Sequence, residues 1–261
     1  MRFLICARAL RAAILACGLI WFCPAESSLA GPAGISYGMT LSFESAEPFG
    51  LTTSPVDGGT LRAKWLGVER KLEDERVQLA LCDGDRERCA SEAALKFLAI
   101  VDSGREREGR ARLGEINRAI NLAIHPMDDL AQWGQVDVWS SPLVTFYHGA
   151  GDCEDYAIAK YVALRMAGVP ADDLRIVVLV DFHGEGHAVA AARLDGHWLL
   201  LDNRRMAMVE DVNARIYRPL FVINDAGLMR YSELPQMVSL PAHAAPATAT
   251  NPQPGLIAAS N

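Results

Sequence analysis

The run Gly149-Ala-Gly-Asp-Cys-Glu-Asp155 sets a lone cysteine at the head of Tyr156-Ala-Ile-Ala-Lys-Tyr-Val-Ala-Leu-Arg-Met-Ala-Gly168. Asp152 is a good N-cap, Gly168-Val-Pro170 is a stop, and Ile158, Tyr161, Val162 and Leu164 supply an apolar side. A helix is therefore predicted from about Cys153 to Ala167. The free N–H groups and positive dipole end of a helix start favour an anion, and the thiolate is the nucleophilic form of cysteine. A lone cysteine is more often a small buried residue, so position alone leaves both roles open.

A nucleophile needs a base, and a hairpin offers one. Leu174–Asp181, His187–Leu194 and His197–Asn203 read as strands, the last two joined by Asp195-Gly196, a favoured two-residue turn. Counting outward from that turn pairs Val189 with Asp202, which makes His187 and Asp202 diagonal neighbours with Cα atoms roughly 7–8 Å apart. Asp202 would then fix the imidazole tautomer while His187 takes the proton of Cys153.

Rival chemistries are poorly supported. His183-Gly-Glu-Gly-His187 carries glycines unsuited to a helix and its Glu at the third position, so it is no zinc-protease motif. No Cys/His set has structural zinc spacing, and Gly-x-Ser-x-Gly is absent. His125, His148, His183 and His197 are expected to be surface or loop residues. The charge of −7, with Lys and Arg scattered, argues against a nucleic-acid partner.

The elements that must position these groups follow from the rest of the 261 residues, whose 51% hydrophobic and 22% charged content suits a globular chain. Residues 1–30 carry Arg2, Arg8 and Arg11, an apolar run from Ala12 to Cys23 and then Ser28-Leu29-Ala30, the pattern of a secretory signal peptide. That run is short of the roughly 20 residues a bilayer span requires, so the mature chain is expected to lack an integral membrane segment. Cleavage would remove three arginines and one glutamate, leaving −9, and would leave Cys82, Cys89 and Cys153. A local bridge would close the polar loop Cys82-Asp-Gly-Asp-Arg-Glu-Arg-Cys89, so Cys153 is the remaining thiol.

Residues 31–90 read as a loosely organised N-terminal lobe with a helical stretch around Glu69–Leu81. Ser91 caps a helix carrying Leu95, Leu98 and Val101, and Leu113, Ile116, Ile120 and Ile124 stripe a second helix within 105–124. Helices followed by antiparallel strands make the catalytic region, 91–235, an α+β domain. Residues 236–261, rich in Ala and Pro, are expected to be a disordered tail.

The run Gly151-Asp-Cys-Glu-Asp-Tyr-Ala-Ile-Ala-Lys-Tyr161, with His187-Ala-Val and Leu201-Asp-Asn203, resembles the bacterial transglutaminase-like cysteine proteinases, including the LapG-type periplasmic proteases. Asn117 and Asn121, the Trp133–Trp139 stretch, Pro142 and the motif order share the resemblance, over roughly residues 49–223. It implies a papain-like or transglutaminase-like fold, a helical lobe packed on an antiparallel sheet, and a triad Cys153, His187 and Asp202. It also implies calcium held by Asp152 and Glu154, with Asp155, Asn117 or Asn121 as further ligands. A bare alternative is that these acids only cap the helix and favour its first turn. Trp139 would wall the cleft, polarise the substrate carbonyl through its indole N–H, or simply pack in the core, while the Cys153 backbone N–H is the firmer oxyanion donor.

The function expected is an exported, periplasmic cysteine peptidase acting on a protein substrate. In the LapG-type subgroup that substrate is a surface adhesin important in biofilm, and the regulator is a cyclic-di-GMP-responsive inner-membrane receptor. The alternatives are a transglutaminase-type acyl transferase, which uses the same thioester, and a calcium-dependent regulatory or binding protein without turnover.

Overall fold

The helical layer is set by apolar spacing and by one buried acid. The computed structural model describes residues 47–232. The predicted signal peptide, the start of the N-terminal lobe and the predicted tail lie outside the described residues. Helices α1 (Thr60–Gly84), α2 (Glu92–Arg105) and α3 (Gly109–Ala123) lead to the short α4 (Asp129–Trp133) and α5 (Pro142–His148), then α6 (Cys153–Met166). Ser91 caps α2 as expected, its hydroxyl accepting the Ala94 amide at 3.2 Å.

The helix expected over Glu69–Leu81 is longer, spanning Thr60–Gly84, and its described neighbourhood is no loose lobe. Trp65, Val68, Leu79 and Cys82 enter the main core, with Leu72 packed against it. The same stripe includes Glu75, a carboxylate where the pattern calls for an apolar group. Ser141 donates to Glu75 Oε1 at 2.5 Å and the Leu143 amide to Oε2 at 3.1 Å, so α1 supplies the cap for α5. A Cys82–Cys89 disulfide closes the loop after α1, leaving Cys153 free.

Strands β1 (Thr53–Pro55), β4 (Leu174–Val180), β5 (Gly186–Leu194), β6 (His197–Leu201), β7 (Val209–Glu210), β8 (Arg218–Asn224) and β9 (Gly227–Tyr231) form an antiparallel sheet in the order β1-β9-β8-β4-β5-β6-β7. A parallel pair, β2 (His125–Pro126) and β3 (Ala150–Gly151), stands apart. Alternation along the central strands sends Ile176, Ala188, Ala190, Leu199 and Leu201 to the helices. Val177, Leu179, Val189, Trp198 and Leu200 go to a second core, closed by Phe49, Leu51 and Tyr217. The α+β architecture is thus present, with both faces of the sheet buried.

Helix α6 lies in the middle, packed on β5 and β4 and against α2, α3 and α5. Ala157, Ala159 and Ala163 are all but inaccessible, and their small side chains let α6 approach the sheet closely. It stops where expected, with Gly168 at φ +92° just beyond Ala167. Among the described residues no helix is long and apolar enough to cross a membrane.

Candidate active site

Cys153 is the first residue of α6, and the chain is delivered to it by β2 and β3. The His125 amide donates to the Gly149 carbonyl at 2.8 Å and the Met127 amide to the Gly151 carbonyl at 3.0 Å. A Cβ on Gly151 would lie 2.6 Å from Asp155 Oδ2 and 2.8 Å from Asp155 Cβ, so only glycine admits the fold-back of Asp155. Fully buried Asp155 accepts the Ser140 amide at 2.8 Å, tying α6 to the approach to α5. Two residues of the motif are therefore explained by backbone packing.

The β5–β6 hairpin turns as expected, with Asp195 and Gly196 at φ +52° and +81° and Leu194 opposite His197. The ladder continues to Ala190 opposite Leu201, and just beyond it His187 Nε2 lies 2.9 Å from Asp202 Oδ1. The Arg204 amide also reaches Oδ1, at 2.9 Å, and the Tyr217 hydroxyl donates to Oδ2 at 2.5 Å. Against the cost of burial, these donors hold the Asp202 carboxyl below its usual range. An ionised Asp202 only accepts, so a hydrogen sits on His187 Nε2, and in the neutral imidazole Nδ1 carries the lone pair. Nδ1 is buried and has no hydrogen-bond partner.

Cys153 and His187 line one cavity of about 420 Å³, walled by Leu130, Val136, Trp139 and Val178. Cys153 also lines a second cavity of about 440 Å³, with Met127, Asn203 and Arg204. Cys153 is thus common to both cavities. Trp139 walls the first cavity, and its indole N–H donates to Asp137 Oδ1 at 2.9 Å. His125, His148, His183 and His197 are exposed, as expected.

Asp129, Asp152 and Glu154 bring carboxylate oxygens within 4.8 Å of one another. Asp152 occupies the N-cap position, yet its side chain makes no capping bond. Burial, and then the Glu154 carboxylate, push Asp152 up to about 8. Asp129 Oδ1 and Asp152 Oδ1 are buried without partners, while Asp129 Oδ2 accepts the Val138 amide. Convergent hard oxygens, two of them bare, are a donor set suited to calcium. Burial, and then Glu154 and Asp152, raise the Cys153 thiol, with the Ala188 amide acting in the opposite direction.

The other suggested calcium ligands lie outside that cluster and each is partly engaged, although Asp155 Oδ2, Asn117 Oδ1 and Asn121 Oδ1 are also buried without partners. Asp155 is held by Ser140, and Asn117 and Asn121 reach from α3 to the carbonyls of Asp202, Arg205 and Met206, fastening the turn that carries Asp202. Asp129 is the member sequence reasoning missed: it lies on α4, and nothing in the spacing ties it to Asp152.

Lys160 was also overlooked as a site residue, although a lone lysine between Ile158-Ala159 and Tyr161 is a visible anomaly. It is fully buried and donates to the carbonyl of Leu201, the residue before Asp202, at 3.0 Å. Burial pushes its ammonium down to about 7, against the pull of Asp202. The unfolded chain binds this proton up to about the ordinary 10.5, so the group's contribution is full above that pH and is lost as pH falls to about 7. Urea titrations at pH 7 and pH 9.5 are expected to show wild type gaining stability over Lys160→Met at the higher pH. An unchanged difference between the two proteins would refute this.

The family model of the bacterial transglutaminase-like cysteine proteinases matches residues 78–222. The chain belongs to this family. As a bacterial transglutaminase-like cysteine proteinase it is a cysteine peptidase, and the match lies within the span of the sequence resemblance. Calcium-bound Legionella pneumophila LapG is similar to it, 25% identical over 57% of this chain and 84% of LapG, with a TM-score of 0.48. EGTA-treated LapG is 24% identical over 59% of this chain and 84% of its own, with a TM-score of 0.49. No curated protein matches this chain.

Proposed function

We propose that this peptidase is an exported, calcium-dependent protease that cleaves a cell-surface or exported protein, such as an adhesin, with Cys153, His187 and Asp202 as its triad. The observation that carries the reading is the 2.9 Å contact of His187 Nε2 with Asp202, which leaves Nδ1 without a partner on a residue that lines the same cavity as Cys153. His187 Nδ1 takes the thiol proton as Cys153 attacks the peptide carbonyl, and the Cys153 backbone N–H at the start of α6 faces the developing oxyanion. The imidazolium returns the proton to the leaving amine. His187 then deprotonates a water that hydrolyses the thioester.

Asp129, Asp152 and Glu154 would hold the calcium ion, which when bound supplies positive charge to offset three carboxylates beside the thiol. The signal-peptide pattern of residues 1–30 supports a periplasmic location, and the mature catalytic domain would extend to about residue 235 before the Ala/Pro-rich tail. An inner-membrane receptor is the corresponding candidate regulator.

The test is incubation of the purified protein with a periplasmic and surface proteome, read by N-terminal proteomics. New termini are expected with wild type and calcium, and none with Cys153→Ala. Absence of any Cys153-dependent terminus would overturn the reading.

A further inference from the structure

We infer that Tyr217 is a positioning residue of the peptidase, locking the Asp202 carboxylate so that His187 keeps its bare nitrogen toward Cys153. The inference rests on the triad proposed above. Asp202 is nearly inaccessible, and its two oxygens have distinct duties: Oδ1 meets His187 and the Arg204 amide, and Oδ2 meets Tyr217 alone among the contacts described. The terminal torsion of an aspartate is soft and nearly two-fold. Without a partner on Oδ2, only the two bonds at Oδ1 oppose a swing of the carboxylate, and what fixes the His187 tautomer is weakened.

Two further features support a dedicated role. The Tyr217 and His187 rings lie 5.8 Å apart, tilted by 38°, so the phenol flanks the imidazole as well as its partner. The turn bearing Tyr217 is itself pinned from a distant part of the chain. The Phe49 amide donates to Asp211 Oδ2 at 2.6 Å, the Val212 amide to Asp211 Oδ1 at 2.7 Å, and the Tyr217 amide to the Ala214 carbonyl at 3.0 Å. Phe49 is a non-glycine residue at φ +67°, a conformation it keeps while making that bond. Segment 47–51 thus helps aim the phenol that holds Asp202.

The experiment is Tyr217→Phe, which removes one oxygen and keeps the ring. Nitrogen NMR of 15N-histidine-labelled protein, with His187 assigned by loss in His187→Gln, is expected to show the Nε2–H form in wild type and a mixture of tautomers in the variant. Alkylation of Cys153 by iodoacetamide should slow at least fivefold, and kcat should fall about tenfold at unchanged KM. Ile216→Ala, which trims the same small cavity beside Asp202, should leave the ring signals unchanged. A folded Tyr217→Phe with wild-type ring signals and alkylation rate overturns the inference. The ring and alkylation readouts need no substrate, so failure of the protease reading would appear separately, as a wild-type protein that cleaves nothing.

Discussion

Asp202→Asn is expected to lower kcat about ten-thousand-fold with little change in KM, the order found when a triad carboxylate becomes an amide. Asp202 accepts from His187, the Arg204 amide and Tyr217, and has no donor to satisfy. An asparagine must aim its NH2 at one of those donors. Aimed at His187, it forces the hydrogen onto Nδ1, the atom that has to receive the thiol proton. Aimed at Tyr217, it leaves that hydroxyl facing a donor and loosens the ring. A variant retaining more than a tenth of wild-type kcat would sink the triad assignment. Stability follows the same carboxylate: its folded-state pKa is depressed, so its contribution is present above the ordinary 3.8 and is lost as pH falls. Asp202→Asn is expected to lose that dependence, measurable as a shallower fall in Tm on acidification.

The pairing of His187 with Asp202 was legible because a two-residue turn fixes register, and register fixes which side chains share a face. Helix α6 was legible for a similar reason, since its cap position, its apolar residues and Gly168 are all local signals. What could not be read depends on contacts between distant segments. Glu75 breaks an otherwise apolar stripe in α1, and only the position of Ser141 and Leu143 explains it. Asp129 and Tyr217 come from segments with no periodicity of their own: Asp129 follows β2, which pairs with β3 just ahead of Cys153, and Tyr217 precedes β8. Asn117 and Asn121 stand out in the sequence, but that their NH2 groups fasten the carbonyls of the 202–206 turn is visible only in the fold.

Removing calcium is expected to lower cleavage at least a hundredfold and to lower Tm. Asp129, Asp152 and Glu154 are like charges held within 4.8 Å, and Asp129 and Asp152 each have a buried oxygen without a partner. Such groups resist ionisation together, and Glu154 Oε2 lies 3.1 Å from the Cys153 sulfur, where its charge opposes a thiolate. A bound dication reverses the sign of that local field. At a free concentration one hundred times Kd, binding to the folded state alone adds about 2.7 kcal/mol. For a domain of this size each kcal/mol moves Tm by roughly 2–4 °C. A calcium-dependent rise of about 5–11 °C is therefore expected, reversed by chelator. Asp129→Asn discriminates this site from a cation bound elsewhere: Asp129 lies outside the motif, and its loss should reduce the rise and the calcium dependence of cleavage together. A wild-type protein whose Tm and cleavage are indifferent to both chelator and excess calcium would leave the three acids without a cation, and the raised thiol would then require a different compensating charge from the substrate.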